Sequence, residues 1–392
     1  MKMERNKSNI VEEIDRHKEK WTALSLKIHD HPELSFQEYQ AMEWLTDTLS
    51  EEGFRVQKAL IPALPTSFIA EWEGPEDGPV IGLIAEYDAL AELGHACGHN
   101  IIGTSAVSAA AALKNAVPDL PGKIVVIGTP AEEEGGGKIM LAEEGWFDAL
   151  DAAMMCHPRD RTMTLRGSLA CVDVDLVFHG RTAHAAANPE RGISALDAMI
   201  QSFVAVKQIL PALHHSANIH GIITQGGEAT NVIPDHCEAS FLLRAKTTEE
   251  LSRVKQRFYE AVGGSVQAIG ASYSAEEGLT YAERINNHTL AKQFQHNLEG
   301  IGVEVDDSEI KQGIGSSDIG NVSQIVPTIH PYIKIGEAVT HTHAFTEATR
   351  SEKGMEGLNQ SSKALALTAY DLFTSRELVD KAKAEWRQAD SN

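Results

Sequence analysis

The feature that most constrains this chain is an apolar run that ends in a dense polar segment. Val80–Ala85 is apolar throughout and is typical of a strand that is buried on both faces. Carboxylates, two histidines and a cysteine follow it among small residues, in Glu86–Asn100. The small, apolar run Ile101–Leu113 then predicts a helix capped by the asparagine before it. Because open sheets place their sites at such loops, we expect Cys97 and His99 to contribute to one.

Two further apolar runs end in residues of metal-ligating types. Lys123–Gly128 precedes three consecutive glutamates, Glu132–Glu134, and the run that begins at Ala152 ends at His157. Adjacent carboxylates repel one another unless cations or protons compensate their charges. Thiolate, imidazole and carboxylate groups on separate loops of one sheet edge would suit two divalent ions that share a ligand. The pattern therefore indicates a dinuclear metallohydrolase.

The length and texture of the sequence predict two domains. A chain of 392 residues exceeds one typical core. Apolar strands that alternate with helices predict an α/β fold, an αβα sandwich with a mostly parallel sheet, over residues 1–168 and 286–392. Residues 169–285 instead follow the strand-helix-strand-strand-helix-strand order of a ferredoxin-like α+β unit. We expect this unit to be inserted into the larger domain.

The sequence makes four local predictions. In the inserted domain we expect a helix near Thr248–Val262 and a strand around Val266–Ser274. Further on, Gly313–Asn321 is too rich in glycine to predict a helix, and Ile325–Ile335 is typical of one strand. The amphipathic segment Ser351–Ser375 predicts a long terminal helix.

The net charge of -22 argues against two classes of partner. Phosphate backbones and anionic membranes are bound by clusters of Lys and Arg, so we expect neither nucleic acid nor a membrane as a partner. The first ten residues are polar and lack the apolar core of a signal peptide. The four cysteines have no disulfide-scaffold spacing. We therefore expect a cytoplasmic protein with reduced thiols.

Several motifs resemble those of peptidase family M20, the dinuclear metallopeptidases, and in particular their amidohydrolase branch. They occur in that branch's order: Glu86–Leu90, Gly94–Asn100, Pro130–Glu133, Gly180–Ala186, Asn231–Pro234 and the final His-Thr pair that starts at His341. The segments Gly315–Ser323 and Pro327–Pro331 are most similar to the sub-branches of aminoacylase-1-like protein 2 and p-aminobenzoyl-glutamate hydrolase. The resemblance spans nearly the whole chain. It implies hydrolysis of an amide or peptide bond in a small dipeptide or N-acyl amino acid.

The resemblance also implies roles for residues at the strand ends. Two divalent metal ions per subunit, Zn²⁺ or Mn²⁺, would be bound by Cys97 as the bridging ligand and by His99, Glu133, His157 and His341. Glu132 would be the general base that takes a proton from a metal-activated water. Asp88 would be a carboxylate that orients a ligand without binding the metal itself.

In the inserted domain the resemblance implies a lid that also forms a dimer. His184 matches a histidine that reaches into the partner subunit's active site and stabilises an oxyanion. Asn231 and Arg244 match residues that hold the substrate, and a guanidinium at Arg244 could bind a carboxylate through two hydrogen bonds. A homodimer through the lid, or a tetramer built from such dimers, follows from this resemblance.

The sequence leaves alternatives open. His343 competes with His341, which is preferred because its spacing to Phe345 fits the family's His-Ser/Thr-x-x-Phe pattern. The roles of Glu134 and Glu86 are not assigned. Aminopeptidase activity on short peptides remains an alternative specificity. Two other hypotheses are a cysteine hydrolase that uses Cys97 and a catalytically silent metal-binding protein.

Overall fold

The computed structural model describes residues 2–213, 217–306 and 315–389. Within these ranges the chain forms twelve α-helices and fourteen β-strands, besides two short 3-10 helices. The helices are α1 (Lys2–Arg16), α2 (Lys18–His29), α3 (Tyr39–Glu51), α4 (His99–Ala116), α5 (Gly137–Glu143), α6 (Ala195–Ile209), α7 (Thr248–Ile269), α8 (His288–Gly300), α9 (Ile319–Ser323), α10 (His343–Arg350), α11 (Glu352–Thr374) and α12 (Arg376–Ala389). The strands are β1 (Arg55–Lys58), β2 (Phe68–Glu73), β3 (Val80–Ala85), β4 (Lys123–Gly128), β5 (Ala152–Met154), β6 (His157–Arg159), β7 (Ala170–His179), β8 (Ala183–His184), β9 (Asn218–Gln225), β10 (Val232–Ile233), β11 (His236–Ala245), β12 (Ser272–Glu277), β13 (Thr328–Ile329) and β14 (Tyr332–Lys334).

The described residues divide into two compact units. The smaller unit comprises Ser168–Glu283 together with Gly315–Gly320, and the larger unit comprises the remainder. The chain thus passes between the units close to the predicted boundaries at residues 168/169 and 285/286. The short Gly315–Gly320 segment belongs to the smaller unit, although the sequence placed it in the larger domain. No helix in the described ranges is long and apolar enough to cross a membrane.

The larger unit is built on a six-stranded sheet in the order β1-β2-β4-β3-β5-β13. Strands β4, β3, β5 and β13 pair in parallel, whereas β1 and β2 form an antiparallel edge. In β3 and β4 every residue after the first is buried. Since successive side chains of a strand point to opposite faces, both faces of the central sheet are covered. The predicted α/β class with a mostly parallel sheet is confirmed.

The smaller unit is a four-stranded antiparallel sheet with two helices. Its strand order, β12-β7-β11-β9, is that of a ferredoxin-like unit in which the first and third strands are central. Strand β7 alternates between buried and more exposed residues over most of its length, as expected when one face of a sheet packs on helices. The helices α6 and α7 supply the other side of this core, through residues such as Met199 and Phe258.

The structure corrects three local predictions. Helix α7 extends to Ile269, so Val266 is helical; it continues the buried face of Phe258 and Val262 at helical spacing. The predicted strand over residues 325–335 is divided into β13 and β14, because Pro331 between them has no N–H to donate to a ladder. Of the predicted glycine-rich loop, residues 313 and 314 lie outside the described residues, and the end forms the short helix α9.

Candidate active site

The site lies where strands of the larger unit end. Strand β3 leads into the segment that carries Asp88 and Cys97, and β4 leads into the turn that carries Glu132 and Glu133. His157 is the first residue of β6. Parallel strands present their carboxyl ends at one edge of the sheet, so residues that are distant in sequence become neighbours there.

Helix α4 begins one residue earlier than the sequence predicts. Its N-cap is Gly98, at φ 82°, and His99 is its first residue. A Cβ atom at Gly98 would lie 2.3 Å from Cγ of Pro158, so glycine is required here both for the backbone conformation and for the close approach. Asn100 is not the cap: its side-chain amide donates to the hydroxyl of Ser25 at 3.0 Å inside the fold.

Asp88 fixes the orientation of His99. Nδ1 of His99 lies 2.9 Å from Oδ1 of Asp88 and 3.0 Å from its carbonyl oxygen, and because both oxygens accept, Nδ1 must carry the proton. The lone pair of Nε2 therefore points into the site. Nε2 has no hydrogen-bond partner among the described residues, although it is fully buried and lies 3.8 Å from carboxylate oxygens of both Glu132 and Glu133. This arrangement is typical of a metal-binding histidine held by a carboxylate.

Two groups of potential ligands share Cys97. The first contains Cys97, His99 and His157, and the second contains Cys97, Glu133 and His341; within each group the ligand atoms lie within 4.8 Å of one another. The Sγ atom of Cys97 lies 3.4 Å from Nε2 of His157 and 3.6 Å from Nε2 of His341. All five residues proposed from the sequence as ligands are thus brought together. Their donor set of one thiol, three imidazoles and a carboxylate fits two divalent ions that share the sulfur.

His157 and His341 are held differently. His157 is buried, and its Nδ1 donates to the carbonyl of Pro158 at 2.7 Å, which leaves the Nε2 lone pair towards Cys97. His341 lies on the loop before α10, and its imidazole is 55% exposed. Its backbone has a left-handed φ of 63°, and its N–H donates to the carbonyl of Ala96 at 2.9 Å. A non-glycine residue in this conformation is uncommon and marks a strained position.

Burial and charge act in opposite directions on these groups. Burial lowers the pKa of His157 well below its usual value, and the neighbouring His99 lowers it further. Burial also opposes charge on Asp88, but His99 and the N–H of Glu133 outweigh it and lower the pKa of Asp88 to about 2. Burial followed by the charge of Glu133 raises the pKa of the Cys97 thiol well above its usual value. A nearby cation would reverse this last effect and favour the thiolate.

The geometry also bears on the residues that the sequence left unassigned. His343 is exposed at the start of α10 and belongs to neither group of potential ligands. Glu134 is exposed, and its backbone N–H donates to Ser35 Oγ at 3.3 Å. Glu86 is buried, and it forms an ion pair with the fully buried Lys138 at 2.6 Å. Its other oxygen lies 3.5 Å from Nε2 of His99, so this pair borders the site.

The segment before α3 supports the glutamate turn, and the sequence reasoning missed it. Glu38 is fully buried and accepts the N–H of Ala131 at 2.9 Å and the hydroxyl of Thr66 at 2.8 Å. Ala131 precedes the glutamates with a left-handed φ of 59°. Ser35 donates to Oδ2 of Asp88 at 3.1 Å. Burial, followed by the charge of Asp88, raises the pKa of Glu38 to about 7. A lone glutamate ahead of an amphipathic helix gave no signal of this role.

The predicted site residues of the smaller unit lie apart from one another. His184 is exposed in β8, and the carbonyl of Asn231 accepts the N–H of its neighbour Ala185 at 3.0 Å. Arg244 lies near the far end of β11, paired with Cys171 of β7. Eight residues of extended strand separate Arg244 from the start of β11, which corresponds to about 27 Å. His184 and Asn231 thus belong to one end of this sheet and Arg244 to the other.

The Nδ1 atom of His184 accepts two backbone N–H groups. These belong to Ala186 and Ala187, each at 3.2 Å. Because Nδ1 accepts, the proton of the neutral ring lies on Nε2, which can donate a hydrogen bond outwards.

The whole chain is similar to known proteins of one family. Residues 82–366 match the model of Peptidase family M20/M25/M40. The Xaa-Arg dipeptidase of Mus musculus is 36% identical over 396 residues, covering 97% of this chain and 92% of that protein. One of the subunits of the p-aminobenzoyl-glutamate hydrolase of Escherichia coli is 27% identical and covers 97% and 94%. A Bacillus subtilis structure, described as a dinuclear metal binding peptidase from M20 family, superimposes with a TM-score of 0.70 at 22% identity, covering 91% of this chain and 99% of that one.

Proposed function

This chain belongs to peptidase family M20/M25/M40, and we propose that it is a two-metal hydrolase of amide or peptide bonds in small dipeptides or N-acyl amino acids. The family and the hydrolase class predicted from the motifs are confirmed. The observation that carries the proposal is the pair of ligand groups that share Cys97. Buried donors with free lone pairs, as at Nε2 of His99, are costly to fold unless a cation uses them.

The five ligand residues would hold two divalent ions. Cys97 would bridge them, with His99 and His157 on one side and Glu133 and His341 on the other. Such ions supply Lewis acidity, which polarises a scissile carbonyl and makes a water molecule easier to deprotonate. The donor set suits Zn²⁺, and its carboxylate also suits Mn²⁺.

Glu132 is the proposed general base. Its carboxylate lies 3.8 Å from Nε2 of His99, beside the ligands and next to Glu133 in the chain. From there it would take a proton from the attacking water and deliver it to the leaving nitrogen, so that the C–N bond breaks as the new C–O bond is retained. The exposed Glu134 lies outside the groups of potential ligands and is a poorer candidate.

His184 would stabilise the oxyanion from a second subunit. Its accepting Nδ1 leaves Nε2–H as a donor, which is the form that an oxyanion requires. His184 and Arg244 lie at opposite ends of their sheet, which favours their use in two different active sites. We therefore propose a homodimer in which His184, together with Asn231, serves the partner's site and Arg244 serves its own.

Strand β9 is the proposed dimer contact. It forms one edge of the four-stranded sheet, and its outer side has no strand partner within the described ranges. Its side chains Ile222 and Ile223 are 65% and 48% exposed. Soluble proteins usually protect such edges with charges or cover them, so pairing of two β9 strands would account for this surface.

The substrate class is inferred from the relatives. The names of the mouse and Escherichia coli relatives describe a dipeptidase and a hydrolase of p-aminobenzoyl-glutamate. Both substrates place an amide bond next to an amino acid that carries a free carboxylate. We propose the same general class for this chain, with N-acyl amino acids and dipeptides as the first compounds to test.

The decisive experiment measures metal content and hydrolysis together. Purified protein would be analysed for bound metal, and a panel of dipeptides and N-acyl amino acids would be tested before and after chelation. We expect about two ions per chain and activity that is lost on chelation and restored by Zn²⁺ or Mn²⁺. Bound metal without turnover of any compound would instead support a silent metal-binding protein.

The cysteine-hydrolase alternative is disfavoured by the surroundings of Cys97. A nucleophilic cysteine needs a lowered pKa, whereas burial and Glu133 raise that of Cys97. That alternative predicts activity that is indifferent to chelators and abolished by alkylation of metal-free protein. Undiminished hydrolysis after complete metal removal would support it and contradict the two-metal proposal.

A further inference from the structure

Next to His157 the larger unit contains a cluster of cations around one tyrosine. The guanidinium carbons of Arg159, Arg166 and Arg284 lie 5.3, 5.6 and 6.0 Å from the ring centre of Tyr332. Arg166 and Arg284 are only 8% and 7% exposed. Buried arginines are rare unless an anion compensates them, so the source of that compensation needs an explanation.

Arg284 has only neutral partners in the part of the chain that the structure describes. Its guanidinium donates, in long hydrogen bonds of 3.3 to 3.5 Å, to the carbonyls of Arg166 and His330 and to the hydroxyl of Tyr332. Its Nε–H is buried and has no partner there. A desolvated charge that lacks a counter-ion destabilises a folded protein by several kcal/mol. Such a group is retained where a ligand supplies the missing charge.

His330 presents a second buried, unsatisfied group at the same place. It is 4% exposed, and within the described ranges neither ring nitrogen has a hydrogen-bond partner. Its ring centre lies 4.9 Å from that of Tyr332 and 5.4 Å from that of His157. The ring of Tyr332 is 5.6 Å from that of His157. The cluster therefore borders a proposed metal ligand directly.

We propose that Arg284, His330 and Tyr332 form a subsite for a carboxylate group of the substrate. Guanidinium presents parallel N–H donors that match the two oxygens of a carboxylate, and an imidazole N–H or a phenol can add a further bond. Asp160 forms an ion pair with its neighbour Arg159 at 3.5 Å and is not among the partners of Arg284 in the described ranges. This inference rests on the proposed function, because it assigns a group of the substrate to a place beside the metal ligands.

Two carboxylates could occupy this subsite: the α-carboxylate of the product amino acid, or a carboxylate on its side chain. Arg244 of the smaller unit has been proposed for substrate binding, so the two arginines would divide these tasks or share one. The chemistry of recognition is the same for both sources. Substrates that differ in which carboxylate is present can separate them.

The subsite is tested first by binding, without turnover. Metal-free, full-length protein would be titrated by calorimetry with glutarate and with the neutral analogue glutaramide. We expect glutarate to bind and glutaramide to bind at least tenfold more weakly. Arg284→Gln should weaken glutarate binding roughly 10- to 100-fold, and Arg284→Lys should recover part of it, because a charge-assisted hydrogen bond is about twice as strong as a neutral one.

The matched control is Arg376→Gln, which removes an arginine that is 82% exposed and paired with Asp380. It should bind glutarate as wild type does. If Arg284→Gln does not fold, as judged by its melting curve, Tyr332→Phe replaces it; loss of the hydroxyl alone should weaken glutarate binding severalfold. Equal binding of glutarate and glutaramide, or equal glutarate affinity in wild type and a folded cluster variant, would overturn the subsite.

Kinetics with metal-loaded enzyme then identifies the carboxylate. N-acetylglutamate, N-acetylglutamine and N-acetylisoglutamine carry both carboxylates, only the α-carboxylate and only the side-chain carboxylate, respectively. Arg284→Gln should raise KM, with kcat less affected, only for compounds that retain the recognised group. If wild type hydrolyses none of these or the other panel compounds, the proposed function fails, whereas the glutarate titration still decides whether the carboxylate subsite exists.

Discussion

The two units contribute to the proposed site in opposite ways. In the larger unit, Cys97, His99 and His157 are buried and already within ligand-sharing distance. In the smaller unit, His184 and Asn231 are exposed and lie at the opposite end of the sheet from Arg244. Folding of the first unit is therefore sufficient to assemble its half of the site. The second unit presents groups that need a further surface to act on.

The difference has an energetic side. The larger unit buries donors and carboxylates whose mutual interactions leave atoms unsatisfied, such as Nε2 of His99. Their burial is a cost that bound cations would remove, so the stability of this unit should depend on metal. The smaller unit leaves apolar side chains exposed on β9, so its missing partner is another protein surface. Variants of each unit can separate these two kinds of incompleteness.

The largest expected effect concerns the general base. Glu132→Gln should leave about two ions bound and reduce kcat by roughly 10²- to 10⁴-fold, because the side chain keeps its size and loses the ability to take a proton. The measurement is turnover with metal analysis of the same samples. Glu134→Gln, which changes the exposed neighbour, is the control and should be nearly as active as wild type. If Glu134→Gln is the inactive variant, the roles of the two glutamates must be exchanged.

The next effect tests whether the smaller unit acts across subunits. His184→Ala should lower kcat by about 10²-fold or more, the usual cost of losing an oxyanion donor, with metal content unchanged. Mixing it with Glu132→Gln should restore activity, because one site of each hybrid dimer would combine an intact Glu132 with an intact His184. Ile222→Glu, which places a charge on the edge of β9, should abolish this rescue and shift the protein to monomer in sedimentation. Full activity of a monomeric variant would contradict the shared site.

A smaller effect is expected from the carboxylate that orients His99. Asp88→Asn removes the charge but keeps the shape, and it should weaken metal binding by about 10- to 100-fold. Competition with a fluorescent chelator measures this affinity. Ser35→Ala removes one hydrogen bond to the same carboxylate, at 3.1 Å, and should have a weaker effect in the same direction. Unchanged metal affinity in Asp88→Asn would show that the protein does not depend on this contact.

Sequence patterns were informative where a residue type has few uses. A cysteine, several histidines and consecutive glutamates at strand ends predicted the ligand set, and the structure brings these side chains together. The parallel sheet followed from the uninterrupted apolar runs of β3 and β4, whose burial requires cover on both faces. Strong local chemistry of this kind can be recognised without knowledge of packing.

The supporting groups could not be predicted because their roles depend on packing. Glu38 and Lys138 are ordinary charged residues in sequence, and only their complete burial shows that each supports the site. The start of α4 at His99 depends on the close approach of Pro158 to Gly98, which no local pattern encodes. The same holds for the cluster around Tyr332, whose arginines come from three separate segments.

The smallest expected effect is on stability and concerns Glu38. Its pKa is about 7 in the folded protein against 4.5 as the ordinary value, so between these pH values the folded chain keeps a proton that the unfolded chain has lost. The free energy of unfolding should therefore fall as pH rises through this window, by up to about 3 kcal/mol from this group. Glu38→Gln retains an acceptor for the N–H of Ala131 and cannot ionise, so this part of the pH dependence should disappear. Urea unfolding of metal-free protein at pH 5 and pH 7.5 measures it.

Glu51→Gln is the control for that experiment, because Glu51 is exposed on the adjoining helix α3. It should follow wild type at both pH values. The outcome also bears on the contrast between the units, since the strain at Ala131 is held by a buried carboxyl within the larger unit alone. If Glu38→Gln retained the pH dependence of wild type, the charge of Glu38 would not be coupled to folding. The support of the glutamate turn would then rest on the shape of this side chain, and the larger unit would owe its preorganisation to packing more than to electrostatics.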